Sequence, residues 1–128
     1  MWPFSWLRRP SREPLGEPPD WMVEEVQRRT GRSLQECRRI LSCPTLDEYW
    51  RLTGDGPNDL DERDPAESDS SLAPYLLRAT LETERKVGPD GDIGYCFAYW
   101  DRKKRILREQ YGVHWRTPAE MNPETFYD

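Results

Sequence analysis

Four side chains in the sequence are of the types that ligate zinc or act in nucleophilic catalysis: Cys37, Cys43, Cys96 and His114. Structural zinc sites draw their ligands from closely spaced pairs, and no such pair occurs here. Cys37 falls on the apolar stripe of a predicted helix, where a free cysteine behaves as a small hydrophobic residue. Cys96 and His114 are the residue types of a nucleophile and its base, but no catalytic motif surrounds either of them. We therefore expect no metal, no cofactor and no catalysis from this set.

A calcium loop is the next possibility, because Asp90, Asp92 and Asp101 fall on three ligand positions of the calcium-loop template. That template needs glycine where the sequence has Tyr95, and glutamate where it has Asp101. A Pro-Asp-Gly turn followed by a helix capped by Asp92 accounts for the same residues without a metal. Phosphate-cradling glycine motifs and the GxSxG motif are absent from the sequence. The sequence predicts a protein that is not an enzyme.

Two basic clusters could bind nucleic acid. One lies within residues 28–39 and includes Arg38 and Arg39, and the other spans residues 102–108 after two aromatic residues. The members of the second are Arg102, Lys103, Lys104, Arg105 and Arg108. Cations beside aromatic rings are typical of surfaces that bind single-stranded nucleic acid. Nucleic-acid regulation is therefore our alternative function. In the predicted helix, Lys103, Lys104 and Arg105 face away from the buried stripe of Trp100, Leu107 and Tyr111.

Aromatic residues near both ends of the chain favour a different function. The rings are Trp2, Phe4 and Trp6 before the first predicted helix, and Phe126 and Tyr127 after the last one. Large rings that no helix can bury are typical of protein interfaces. We predict a non-catalytic protein-binding module (an adaptor, inhibitor or assembly factor) that contacts its partner through these five rings. Contact of the N-terminal rings with a membrane surface is a third interpretation.

Composition and charge limit the class of protein. The net charge of −5 arises in residues 55–92, which carry 11 acidic and 4 basic groups, while the flanking parts are each +1. The basic balance typical of nucleic-acid binders is therefore absent. Hydrophobic residues make up 35% of the chain, so six tryptophans and six tyrosines must supply much of the core. Three cysteines without CxxC spacing, and no apolar run long enough for a membrane span, predict a cytoplasmic protein.

Helix start and stop signals predict an all-α fold. Ser33, Thr45 and Thr117 are each followed three residues later by glutamate, which is the capping-box pattern. The helical patterns end at Gly31, Gly54, Gly88 and Gly112, since glycine adopts the left-handed conformation without penalty. The predicted helices span 20–30, 33–42, 45–53, 72–87 and 92–111, with a short turn from Thr117. Aromatic and small residues alternate over 93–99, so a strand is the alternative there.

The same signals divide the chain into four parts. Residues 1–19 hold five prolines and form an extended arm, and residues 20–53 form a three-helix unit. Residues 54–71 carry seven acids and almost no apolar side chains, which predicts a flexible acidic linker. Residues 72–128 form a C-terminal helical part that packs with 20–53 as one domain.

The segments VEEVQRRTGRSLQECRRIL and TLDEYWRL resemble a three-helix module of the ubiquitin-associated type. The resemblance rests on a TG turn, a downstream cysteine and the hydrophobic spacing. It implies a similar shape for residues 20–53 and assigns no binding residue.

Overall fold

The fold is described by a computed structural model that covers residues 15–56, 61–88 and 94–127. These residues form six α-helices, one 3₁₀ helix and no strand, which confirms the predicted all-α class. In chain order they are α1 (Asp20–Thr30), α2 (Leu34–Ser42), α3 (Leu46–Thr53), the 3₁₀ helix (Pro65–Ser68), α4 (Ala73–Val87), α5 (Tyr95–Tyr111) and α6 (Pro118–Met121). Of the helices within these ranges, none has both the length and the apolar character required to cross a bilayer.

The helices begin and end at the predicted signals. Thr45 and Thr117 form complete capping boxes at the starts of α3 and α6. Ser33 forms only half of one, because its hydroxyl accepts a hydrogen bond from the Glu36 amide and no return bond is made. Gly31 and Gly54 end α1 and α3 in the left-handed conformation, with φ of 71° and 76°. Side-chain caps and glycine therefore fix most of the boundaries.

The start of α5 differs from the prediction. The helix begins at Tyr95, preceded by Gly94 with a φ of 86°, rather than at Asp92. Residues 95–99 are helical, so the strand alternative is wrong for them, and Asp92 and Ile93 lie outside the described residues. A residue with φ in the left-handed region cannot continue a right-handed helix, so the positive φ of Gly94 sets the boundary.

Helix α4 lies at the centre of the core and packs against α5, α3, α2 and the 3₁₀ helix. Leu76, Leu77, Ala79 and Leu81 are all buried. Arg78 is also buried, where its guanidinium donates hydrogen bonds to the carbonyl oxygens of Leu41 (2.9 Å) and Gly16 (3.0 Å). These two bonds join the residues before α1 and the end of α2 to α4. Residues 1–14 of the predicted arm lie outside the described residues.

The acidic segment packs against the fold at Asp64 and Glu67, which corrects the prediction of a flexible linker at these positions, while residues 68–71 are exposed. Asp64 and Glu67 are only 6% and 3% exposed. Asp64 accepts hydrogen bonds from the Arg116 amide (2.8 Å) and the Arg116 Nε (3.0 Å). The Trp50 indole donates to the Glu67 carbonyl oxygen at 3.1 Å. Partners distant in sequence therefore stabilise acids that composition alone assigns to solvent, and residues 57–60 lie outside the described residues.

Candidate functional site

Lys103 lies in the core, which corrects the prediction that it faces away from the buried side of its helix. Its side chain is 1% exposed. The amine donates to Asp55 Oδ2 at 3.0 Å, lies 3.5 Å from the Tyr49 hydroxyl, and sits 4.8 Å from the centre of the Trp115 ring. Burial disfavours the charged amine, but the neighbouring acidic groups, Asp55 first and then Tyr49 and Glu67, together outweigh this and hold the pKa of Lys103 above its ordinary value.

A second carboxylate, that of Glu67, completes this buried centre. Its Oε2 accepts a hydrogen bond from the Trp115 indole at 3.1 Å, whereas Oε1 has no hydrogen-bond partner among the described residues. Burial raises the pKa of Glu67, and the charge of Lys103 partly opposes the increase. The centre connects α3, the acidic segment, α5 and the residues after α5. The Lys103 amine is enclosed and already paired with Asp55. It is therefore part of the core, and its contacts link these elements to one another.

The other cations of the 102–108 cluster are largely neutralised. The ion pairs are Lys104–Glu120 (2.7 Å), Arg105–Asp101 (3.1 Å) and Arg108–Glu109 (3.5 Å). Arg102 is half-buried and makes no ion pair within the described residues. The cluster that the sequence presents as one basic face is thus divided between the core and several acid–base pairs.

Ion pairs also neutralise most of the cluster within residues 28–39. The pairs are Arg28–Glu25, Arg29–Glu25 (2.7 Å), Arg29–Glu84 (2.5 Å), Arg32–Glu36 (3.3 Å), Arg39–Glu36 (2.5 Å) and Arg39–Glu48 (2.8 Å). Arg38 is exposed and makes no ion pair with any residue that the structure describes. Phosphate binding by this cluster would have to compete with carboxylates that are already in place.

These ion pairs predict a loss of stability in acid. Hydrogen bonds from Arg39 lower the pKa of Glu48 from its ordinary 4.5 to about 2. A carboxylate whose pKa is lower in the folded chain stabilises the fold above its unfolded pKa, and that contribution is lost as the pH falls through the folded pKa. We expect the free energy of unfolding, measured by denaturant titration, to fall between pH 4.5 and about pH 2.

The matched variants are Glu48→Gln and, at an exposed position of α1, Glu24→Gln. Glu48→Gln should be less stable than the parent chain at pH 7, and its stability should fall less in acid. Glu24→Gln should follow the parent chain throughout. Identical pH profiles for the two variants would contradict the assignment to Glu48.

Of the five aromatic residues that the sequence predicts to contact a partner, the structure describes two. Trp2, Phe4 and Trp6 lie outside the described residues. Phe126 is 99% exposed. Tyr127 differs from the prediction, because it is half-buried against Trp100, with ring centres 4.9 Å apart and planes at 89°.

Sequence reasoning missed Phe97, which extends the same surface. Its side chain is 46% exposed, and its ring lies 5.7 Å from that of Trp100 at an angle of 83°. We call Phe97, Trp100, Phe126 and Tyr127 the aromatic surface. The spacing of Phe97 and Trp100 along the helix was the available signal, but the sequence assigns Trp100 to the buried stripe, and in the structure this residue is only partly buried.

The candidate zinc ligands differ widely in burial. Cys37 is buried, Cys43 is exposed and Cys96 is half-buried. His114 is exposed, and Asp90 and Asp92 of the calcium template lie outside the described residues. Nowhere in the described ranges do three His, Cys, Asp or Glu side chains form a group that could hold a metal ion.

Comparison of the chain with protein-family models, with curated proteins and with solved structures gives no match.

Proposed function

We propose that this chain is a non-catalytic protein-binding module that contacts its partner through the aromatic surface. The observation that carries the proposal is the exposure of Phe126 (99%) next to Tyr127, whose ring packs on Trp100, together with the exposure of Phe97 (46%), whose ring also contacts Trp100. Keeping rings of this size in water costs free energy that a partner surface recovers. Aromatic residues are enriched at protein interfaces and among the residues that dominate binding energy.

The ion pairs reduce the support for nucleic-acid binding. Lys103 is buried, and Lys104, Arg105 and Arg39 each have a carboxylate partner. A phosphate contact by one of these residues would replace an existing ion pair instead of adding a new one. Nucleic-acid binding is therefore the alternative that the experiment below also tests.

The test is capture of partners from native cell lysate by the tagged full-length chain, with and without nuclease. Phe97→Ser and Phe126→Ser should each reduce the captured partner by about tenfold or more, since loss of a central interface ring commonly costs over 1.4 kcal/mol. Leu34→Ser is the matched control, because Leu34 is 44% exposed and belongs to α2, away from the aromatic surface.

Equal capture by all three variants would overturn the proposal. Capture that disappears with nuclease would instead support the nucleic-acid alternative. Thermal unfolding of each variant confirms that it is folded, since all three substitutions are at exposed positions.

A further inference from the structure

A groove of about 330 Å³ lies beside the aromatic surface, between α5 and the start of α6. Its lining residues are Phe97, Trp100, Asp101, Lys104, Thr117 and Glu120. The planes of the two lining rings, those of Phe97 and Trp100, are nearly perpendicular (83°), and the other lining residues are polar. Perpendicular rings combined with carboxylates are the arrangement that proteins use to hold organic cations, because a ring face attracts a positive charge.

The charge around the groove favours a cation as well. Lys104, the basic residue among those that line the groove, is paired with Glu120, and Arg105, the next residue along the helix, is paired with Asp101. Two more carboxylates, Glu62 and Glu124, are exposed and have no ion pair within the described residues. Glu62 lies at this edge because its amide donates to the Asn122 side chain at 2.9 Å, and Glu124 follows two residues later.

A further carboxylate, that of Asp61, lies near the Tyr127 ring of the aromatic surface. Burial and, after it, the charge of the nearby Asp61 raise the pKa of the Tyr127 hydroxyl. Asp61, Glu62 and Glu124 outnumber Arg63, the cation that lies near the same ring, so this edge of the molecule is negative. Lys104, the basic residue among those that line the groove, is balanced by Glu120. A partner of opposite charge gains electrostatic attraction here, and an acidic partner or a phosphate is repelled.

Tryptophan rings elsewhere in this chain already hold cations. The Arg85 guanidinium lies 4.4 Å from the centre of the Trp21 ring, and the Lys103 amine lies 4.8 Å from that of Trp115. An arginine side chain suits the groove better than lysine, since a planar guanidinium can stack on a ring and at the same time donate hydrogen bonds from its edge to a carboxylate. Asp101 is the accessible acceptor, with its side chain 70% exposed.

We infer that the groove binds an arginine side chain from a basic segment of the partner protein. This inference rests on the proposed function, because it names the chemistry of the partner that the aromatic surface contacts. In this arrangement the guanidinium lies against Phe97 and Trp100 and donates to the Asp101 carboxylate beside Arg105, whose hydrogen bond is to Oδ2 of that group. Apolar side chains on either side of the arginine then cover Phe126 and Tyr127.

The test uses the full-length chain and a fluorescently labelled peptide of glycine and serine that carries two arginines. A second peptide has citrulline in place of each arginine, which keeps the shape and removes the charge. We expect the arginine peptide to bind and the citrulline peptide to bind at least about tenfold more weakly, because charge-assisted hydrogen bonds are about twice as strong as neutral ones and the cation–π attraction is lost.

Substitutions locate the binding within the groove. Asp101→Asn and Phe97→Leu should each lower the affinity for the arginine peptide by about two- to fivefold, which is the effect of losing one exposed cation contact. Asp47→Asn is the matched control, since Asp47 is 66% exposed and pairs with Arg51 four residues later, as Asp101 pairs with Arg105. The control removes the same charge from the protein and should leave the affinity unchanged.

Two results would overturn the inference: equal binding of both peptides, or equal effects of Asp101→Asn and Asp47→Asn. The capture experiment separates this failure from failure of the proposed function. If Phe126→Ser abolishes partner capture while the arginine peptide does not bind, the aromatic surface binds a protein through other chemistry. If Phe126→Ser leaves capture unchanged, the proposed function itself is wrong.

Discussion

Lys103→Ala should destabilise the fold by roughly 3–5 kcal/mol, the typical cost of removing one partner of a buried ion pair. The substitution leaves the Asp55 carboxylate without its 3.0 Å partner and the buried Glu67 without a nearby cation. It also opens a cavity beside the Tyr49 and Trp115 rings. Urea unfolding followed by circular dichroism measures the loss.

Two further lysine variants isolate the cause. Lys104→Ala, one residue along the same helix, removes a partly exposed pair with Glu120 and should cost about 1 kcal/mol or less. Lys103→Met retains most of the buried volume and should cost less than the alanine variant. Its deficit should shrink as the pH falls through the pKa of Glu67, which burial raises, because a protonated Glu67 needs no cation. Equal losses at positions 103 and 104 would contradict the buried placement of Lys103.

Trp115→Ala should destabilise the fold by roughly 3–5 kcal/mol, as large aromatic truncations in cores do. Trp115 is 2% exposed, donates to Glu67 Oε2 and provides the ring beneath the Lys103 amine. Trp115→Phe keeps much of the ring but removes the indole N–H, so the Glu67 carboxylate loses its hydrogen bond at a cost of about 1–3 kcal/mol. Thermal and denaturant unfolding both report these differences.

Phe126→Ala is the control for this series. Phe126 is 99% exposed, so its truncation should change the free energy of unfolding by about 0.5 kcal/mol or less. A loss at position 126 comparable with that at position 115 would mean that the C-terminal residues are part of the core. The same variant then separates stability from binding, since the proposed function requires it to weaken partner capture.

The boundaries of most helices could be predicted because their signals are local. Thr45, Thr117 and the terminal glycines act within a few residues, so short windows of sequence contain the whole physical cause. The start of α5 could not be predicted in this way. Asp92 is a good cap residue, but the positive φ of Gly94 delays the helix to Tyr95.

The buried face of α5 was assigned incorrectly because one of its central residues is charged. The apolar spacing of Trp100, Leu107 and Tyr111 predicts a stripe that excludes Lys103. The residues that are buried are Lys103, Ile106 and Leu107, so the true face is rotated around the helix, and Trp100 lies at its edge. A hydrophobicity pattern counts lysine as polar, whereas its aliphatic stem packs like an apolar side chain once its amine has a partner.

The candidate site followed from sequence only in part. Exposure of Phe126 was predictable because this residue lies outside the predicted helices, but the packing of Tyr127 on Trp100 depends on where α6 turns the chain. Phe97 was missed for the same reason that Lys103 was misplaced, since both errors come from one rotated helix face. The packing of the acidic segment needed Trp50, Trp115 and Arg116, which lie far from it in sequence.

The buried centre has a consequence for the order in which the chain folds. Lys103 and Asp55 are 48 residues apart, and so are Trp115 and Glu67, whereas α1 and α2 are joined by three residues. Closing long loops delays contacts of high sequence separation, so we expect the first helices to form before the centre does. Interactions that form after the transition state act mainly on the unfolding rate. The Lys103 ion pair therefore governs how long the native state persists, more than how quickly it is reached.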